Sequence, residues 1–223
     1  MTRSSPPASM SPAGLAAMPQ PSEPRGVGRP RSEATHESIL DAAVELLEAD
    51  SYQAVSINRI AERAGVSKQT IYRWWDAKAD LVLEAYTRHV FKRAVPPEPS
   101  ADAFAELRTL LAAFFETLQE PRVNRGLRSL IAEAQFDSGF RTKFHSVFVS
   151  ARRALMRQAL EHGVALGQVR GDADLDLVLD VIYGGFWYRL LSGTTAPLDA
   201  AFAHALVEVV RPMLASQRRP KPK

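Results

Sequence analysis

The chain of 223 residues has no cysteine, which excludes a disulfide framework and any thiolate metal site. Nor does it contain an apolar run long enough to cross a bilayer. The most apolar stretch, 178–191, is too short and carries Asp180 and Arg189. The N-terminal SSPPASMSPAGLAAMPQPSEP follows Arg3 without the sustained apolar core of a secretory signal. A cytoplasmic protein with no membrane partner is the expectation. Catalytic signatures are missing as well. The five histidines, His36, His89, His145, His162 and His204, are dispersed, and there is no HExxH pair, GxSxG elbow or GxxxxGK loop. GDADLDLVLD alternates Asp172, Asp174 and Asp176, yet a calcium loop would need glycine where Leu177 stands and glutamate where Tyr183 stands. Carboxylates there suit the positive end of a helix. No enzyme, metal or cofactor is expected.

Strand signals are lacking too: no alternating β-branched runs and no Asn-Gly turns compete with leucine, alanine and arginine at helical spacing. With 46% hydrophobic and 24% charged residues, the chain has the composition of a globular protein with a real core. Seven prolines, Pro6, Pro7, Pro12, Pro19, Pro21, Pro24 and Pro30, crowd the N-terminal segment among small and polar neighbours, which predicts that residues 1–28 form a disordered tail. Helical periodicity begins at Thr35 with Ile39, Ala42, Ala43, Leu46 and Leu47. It returns from Lys78 to about Val95, until Pro96, Pro97 and Pro99 stop it. That cluster is the expected domain boundary. Beyond it, helices are expected at about 100–119, 122–136, 139–162, 174–192 and 199–215, then a basic flexible tail, 216–223. The organisation is all-α: a three-helix domain at 29–77, a connecting helix at 78–95 and a larger helical domain at 96–215.

The richest stretch is SINRIAERAGVSKQTIYRWWDAK, residues 56–78. Ile57, Ile60, Ala61 and Ala64 recur on one helical face. Ser56 stands where an N-cap belongs, Gly65 where a left-handed residue ends a helix, and Ser67 where the next helix begins. In that second helix Ile71, Trp74 and Trp75 form an inner side, while Lys68, Gln69, Tyr72 and Arg73 share the outer one. Two short helices with a basic, amide-bearing outer face form a helix-turn-helix suited to a DNA major groove. Arg59, Arg63, Lys68, Arg73 and Lys78 against Glu62 and Asp76 give this segment an excess equal to the chain's +3, as phosphate neutralisation needs. Arg29 and Arg31, just before the first helix, read either as a groove-reaching arm or as solvated linker charges.

GRPR before the first helix, the block ILDAAVELLEADSYQAVSINRIAERAGVSKQTIYRWWDAKADLV and a divergent helical remainder resemble the TetR family of bacterial transcriptional regulators. The resemblance is specific over 29–90 and generic beyond. It implies a homodimer on an inverted-repeat operator in double-stranded DNA. It further implies base or phosphate contacts from Lys68, Gln69, Thr70 and Arg73, a backbone contact from Tyr72, and phosphate contacts from Lys78 and from Ser56, which caps as well. Ser67 joins this DNA-facing set. Trp74-Trp75 departs from the usual histidine or tyrosine followed by phenylalanine, so Trp74 is given no DNA contact. Lys68 or Arg73 has the chemistry to pair with guanine and Gln69 with adenine.

In the second domain the resemblance implies a small-molecule effector cavity, and Phe114, Phe144, Phe148 and His145 are the candidate lining. Aromatics at helical spacing also form ordinary core. Gly184-Gly185 suggests closely approaching helices, and the last two helices hold the family's dimerisation positions, so Tyr183, Trp187, Leu190, Phe202 and Leu206 are the candidate interface. The reading is a homodimeric repressor released from its operator by an effector. Alternatives are an activator, a non-specific architectural DNA-binding protein, or a helical small-molecule-binding dimer that does not engage DNA.

Overall fold

Residues 29–93, 100–194 and 196–215 are described by the structure, a computed structural model. The 1–28 segment, residues 94–99 with the expected boundary at Pro96, Pro97 and Pro99, and the 216–223 tail lie outside the described residues. The N-terminal part consists of α1 (Arg29–Ala49), a 3-10 turn (Tyr52–Ala54), α2 (Ile57–Ala64), α3 (Lys68–Tyr72) and α4 (Lys78–Arg93). The second part holds α5 (Ala103–Gln119), α6 (Pro121–Phe136), α7 (Ser138–Phe144), α8 (Ser150–Ala165), α9 (Leu175–Leu191) and α10 (Ala200–Leu214). Among the described residues there is no strand, only one bridge between Val169 and Ala215.

Helix α1 starts earlier than the apolar pattern predicts, because Pro30 is tolerated in a first turn, where its missing N–H costs nothing. Arg29 and Arg31 therefore belong to the helix backbone rather than to a preceding arm, and their side chains lie outside the described residues. Aspartates begin much of the second part. Asp102, Asp137, Asp174 and Asp199 each accept a backbone N–H from the first turn of α5, α7, α9 and α10. The acidic run in GDADLDLVLD is accounted for this way: Asp174 caps α9, while Asp176 and Asp180 pair with Arg153 at 3.1 and 2.8 Å.

The single helix expected over 139–162 is interrupted by a π-helical turn at His145–Val149, in which the Ser150 N–H reaches back to the His145 carbonyl. Residues four apart drift by about 40° per step around an α-helix, and a wider π turn reverses part of that drift. Phe144 and Phe148 consequently stack, with centroids 5.5 Å apart and planes 13° from parallel. The inward line continues through Arg152 and Met156, both buried.

Close approaches at glycines set further packing. A Cβ on Gly185 of α9 would lie 2.9 Å from Leu206 Cδ2 of α10, and one on Gly126 of α6 would lie 2.9 Å from Tyr86 Cε2 of α4. The fully buried Phe115 stacks on Phe186 and Phe202, joining α5, α9 and α10 in one aromatic seam. The two parts are also pinned by polar contacts. Tyr86 donates to the Val123 carbonyl at 2.7 Å, the Tyr52 N–H donates to Ser129 Oγ at 2.6 Å, and Arg125 donates to the Ala49 carbonyl at the end of α1 at 3.2 Å. Lys143 of α7 pairs with Asp80 of α4 at 2.6 Å. No described helix is long and apolar enough to cross a membrane, and no described cluster of His, Asp or Glu has the makings of a metal site.

Candidate nucleic-acid interface

The α2–α3 corner is built by its own sequence. Ser56 caps α2 by accepting the Arg59 N–H at 3.3 Å. Gly65 ends the helix at φ 67°, with its N–H on the Glu62 carbonyl and the Val66 N–H on Ala61. These are the two back-bonds of a Schellman motif. Ser67 then caps α3 through the Thr70 N–H at 3.2 Å, and its hydroxyl lies 3.0 Å from Thr70 Oγ1. Ile71, fully buried, plugs α3 into the core. Because a Cβ at Gly65 would meet nothing within 4 Å, a substitution there is penalised by backbone strain alone. Gly65→Val is expected to cost about 1–2 kcal/mol and Gly65→Asn clearly less. Thermal melts followed by circular dichroism check this, and equal melting of both variants and the parent would contradict it.

Around Ile71 the outer side stands free. Lys68, Gln69, Tyr72 and Arg73 are exposed, and their side chains have no hydrogen-bond or ion-pair partner among the described residues. Neighbouring arginines differ: Arg59 is tied to Asp50 at 2.6 Å and Arg63 to Glu45 at 2.6 Å. The positive field is therefore narrower than the residue count suggests, centred on Lys68 and Arg73. Thr70 is half-buried beside Ser67, and the Ser56 hydroxyl is engaged in its cap. Lys78 turns inward. Its ammonium donates to the Tyr52 and Val55 carbonyls at 3.0 and 3.1 Å and sits 3.9 Å from the Tyr52 ring centroid, and burial holds its pKa below the ordinary lysine value. It thus braces the loop before α2, with one N–H donor beyond those two bonds.

The Trp74-Trp75 pair is explained by His36 on α1. Trp75 stacks on the His36 ring at 4.8 Å and donates to Glu84 at 2.8 Å, while Trp74 meets the same imidazole edge-on at 5.2 Å. Both indoles pack the recognition helix onto α1. Burial lowers the His36 pKa from 6.5, partly opposed by Glu84. The fold thus favours neutral imidazole, and its stabilisation is present above the unfolded pKa and lost as pH falls below it. The melting temperature is expected to fall between pH 7.5 and 5.5 by more in the parent than in His36→Phe. An identical pH profile for the two would contradict the stack's role.

The remaining candidates fall out differently. Phe114, Phe144 and Phe148 are all buried and packed together, with Phe114 to Phe148 at 6.4 Å. His145 points away from them, exposed, 3.3 Å from Ser150 Oγ. Leu190 and Leu206 are buried within the chain itself. Phe202 is held between Phe115 and the Arg189 guanidinium, whose carbon lies 3.5 Å from its ring. Tyr183 and Trp187 are half-buried against Phe186. The apolar side chains open to solvent on these helices are instead Leu177, Val181, Tyr188 and Leu191 on α9 and Val209 on α10.

Arg152, a charged residue that helical periodicity alone does not mark as core, is only 2% exposed. Its position four residues beyond Phe148, on the same inward line, was the available signal.

A free basic face on a capped, glycine-turned second helix defines a helix-turn-helix DNA-binding regulator. Comparison with known proteins agrees. A model of the tetR family of bacterial regulatory proteins matches residues 39–85, and one of the tetracyclin repressor-like C-terminal domain matches 96–210. The HTH-type transcriptional regulator YdeS of Bacillus subtilis is 37% identical over 74% of this chain and 82% of its own length. The DNA-binding transcriptional repressor TetR of Mycobacteroides abscessus is 27% identical over 81% and 93%. The crystal structure of the TetR family transcription regulator SCO0332 superposes with a TM-score of 0.68 at 32% identity, covering 82% of this chain and 99% of that one. The chain belongs to the TetR family and is a DNA-binding transcriptional regulator, not an enzyme.

Proposed function

We propose that the protein is a homodimeric repressor that holds an inverted-repeat operator in the cytoplasm and leaves it when a small molecule enters the second domain. The observation that carries the dimer is the open stripe on α9. Leu177, Val181, Gly184, Tyr188 and Leu191 recur at alternating four- and three-residue steps, the seam spacing of paired helices. Their side chains are exposed, Tyr188 at 71%, and a Cβ on Gly184 would meet nothing within 4 Å in one copy. A helix-weakening glycine with no neighbour of its own is accounted for by a second copy approaching there. Val209 on α10 is a further exposed apolar side chain, on the helix packed against α9. The interface therefore runs one position beside Leu190 and avoids Leu206.

A two-fold pairing along α9 and α10 presents two α3 helices to successive major grooves. Lys68, Gln69 and Arg73 would then read bases, with Ser67, Thr70, Tyr72 and the spare donor of Lys78 meeting the backbone. Repression is supported by the function of the Mycobacteroides relative. Release is supported by the contacts that pin α1 and α4 to α6 and α7, since a shift of those helices must displace α2 and α3. Such an effector has to bind the released geometry more tightly than the DNA-bound one. Selection of fragments of the source genome by the purified protein tests the reading. One enriched inverted repeat with half-sites about 10 base pairs apart is expected, and bound fragments sharing no motif would overturn it.

A further inference from the structure

Arg152 is the bulkiest fully buried side chain among the described residues, and the DNA-facing surface does not use it. Its guanidinium carbon lies 3.8 Å from the centroid of Phe114 and 5.5 Å from that of Phe91 on α4. Nε and Nη2 are buried without a hydrogen-bond partner, and no described carboxylate pairs with the group. The polar neighbour acting on it is the Tyr183 hydroxyl of α9, which itself makes no hydrogen bond of adequate geometry. On α4, Thr87 Oγ1, one turn before Phe91, is likewise buried and unpartnered. Burial draws the Arg152 pKa down only to about 10, so the charge persists at neutral pH. Aromatic faces offset part of the desolvation of such a cation, and the remainder calls for an anion.

We infer that Arg152, with the Tyr183 hydroxyl beside it, receives the oxyanion of the effector, a carboxylate, sulfonate or phosphate group borne on an apolar, ring-sized body. The inference rests on the effector reading of the second domain and specifies its ligand. A guanidinium offers parallel N–H donors that match two oxygens of such a group. The Phe114–Phe148–Phe144 cluster supplies apolar contact for the body, and it borders the π turn at His145–Val149, a type of irregularity frequent at functional sites. An anion at this point would lie between Phe91 on α4, the helix that follows the recognition corner, and Tyr183, which adjoins Gly184 of the open stripe on α9.

The test uses the full chain and two dyes of nearly the same ring system: anilinonaphthalene sulfonate, which carries an oxyanion, and neutral phenylnaphthylamine. Fluorescence titration is expected to give tighter binding of the sulfonate to the parent protein. Arg152→Met should weaken the sulfonate by about tenfold or more and leave the neutral dye unchanged. Tyr183→Phe should weaken the sulfonate by a smaller factor. Without dye, Arg152→Met should melt no lower than the parent, because it removes an unpaired buried charge, whereas a structural role for Arg152 would make it melt lower or fail to fold. Neutral-dye binding without preference for the sulfonate, an unchanged sulfonate affinity in Arg152→Met, or a destabilised Arg152→Met overturns the anion site while leaving an apolar pocket standing. Failure of both dyes to bind the parent overturns the pocket reading and the anion site together.

Discussion

Replacing Lys68 and Arg73 together by alanine is expected to weaken operator binding on the order of a thousandfold, since each lost bidentate base contact costs about 1–3 kcal/mol and about 1.4 kcal/mol is a factor of ten. The fold should not notice. Both side chains are exposed and have no partner among the described residues, and surface changes of that kind lie within about ±0.5 kcal/mol. The double variant should melt and sediment like the parent while its operator complex disappears from the gel. The contrast with Arg59 and Arg63 gives the experiment its edge. Those two are engaged with Asp50 and Glu45, so their replacement should disturb DNA binding much less. Retention of affinity in the Lys68/Arg73 variant would remove α3 from the interface.

The second large effect lies about the dimer. Val181→Asp with Tyr188→Asp places two carboxylates in the middle of the open stripe on α9, and both positions already face water in a single copy. Each subunit should therefore keep its helical content and melt as a folded monomer. Linking two half-site readers raises overall affinity by about 10²–10⁴-fold, and that gain should vanish with the dimer. Sedimentation together with operator titration reads both effects. A variant that stays dimeric would move the interface away from α9.

Local chemistry made the recognition corner legible. Ser56, Gly65 and Ser67 act on backbone groups within a few residues of themselves, so their consequences follow from sequence alone. Long-range packing decides the features that were not legible. The pairing of Trp74 and Trp75 with His36 joins positions almost forty residues apart. The π turn accompanies a long-range fit, with Phe144, Phe148 and Arg152 all buried on one side of it. Helix α9 is apolar around most of its circumference, so periodicity places both Leu190 and Leu191 on plausible faces. Only the position of α10 and the close approach at Gly185 show that Leu190 and Leu206 belong to the chain's own core. The charge balance differs for a related reason: along the sequence five cations stand against two acids, yet in space Arg59 and Arg63 are paired and Lys78 bends into the Tyr52–Val55 loop.

The most direct test of sequence-specific operator binding is fluorescence anisotropy of the purified protein on labelled DNA from the flank of its own gene, competed at near-physiological salt with unlabelled operator and with scrambled DNA of equal length. The operator is expected to displace the label at a concentration about three orders of magnitude lower than scrambled DNA does, within the usual range for specific over non-specific binding. Equal displacement by the two competitors, on any fragment to which the protein binds tightly, would contradict it.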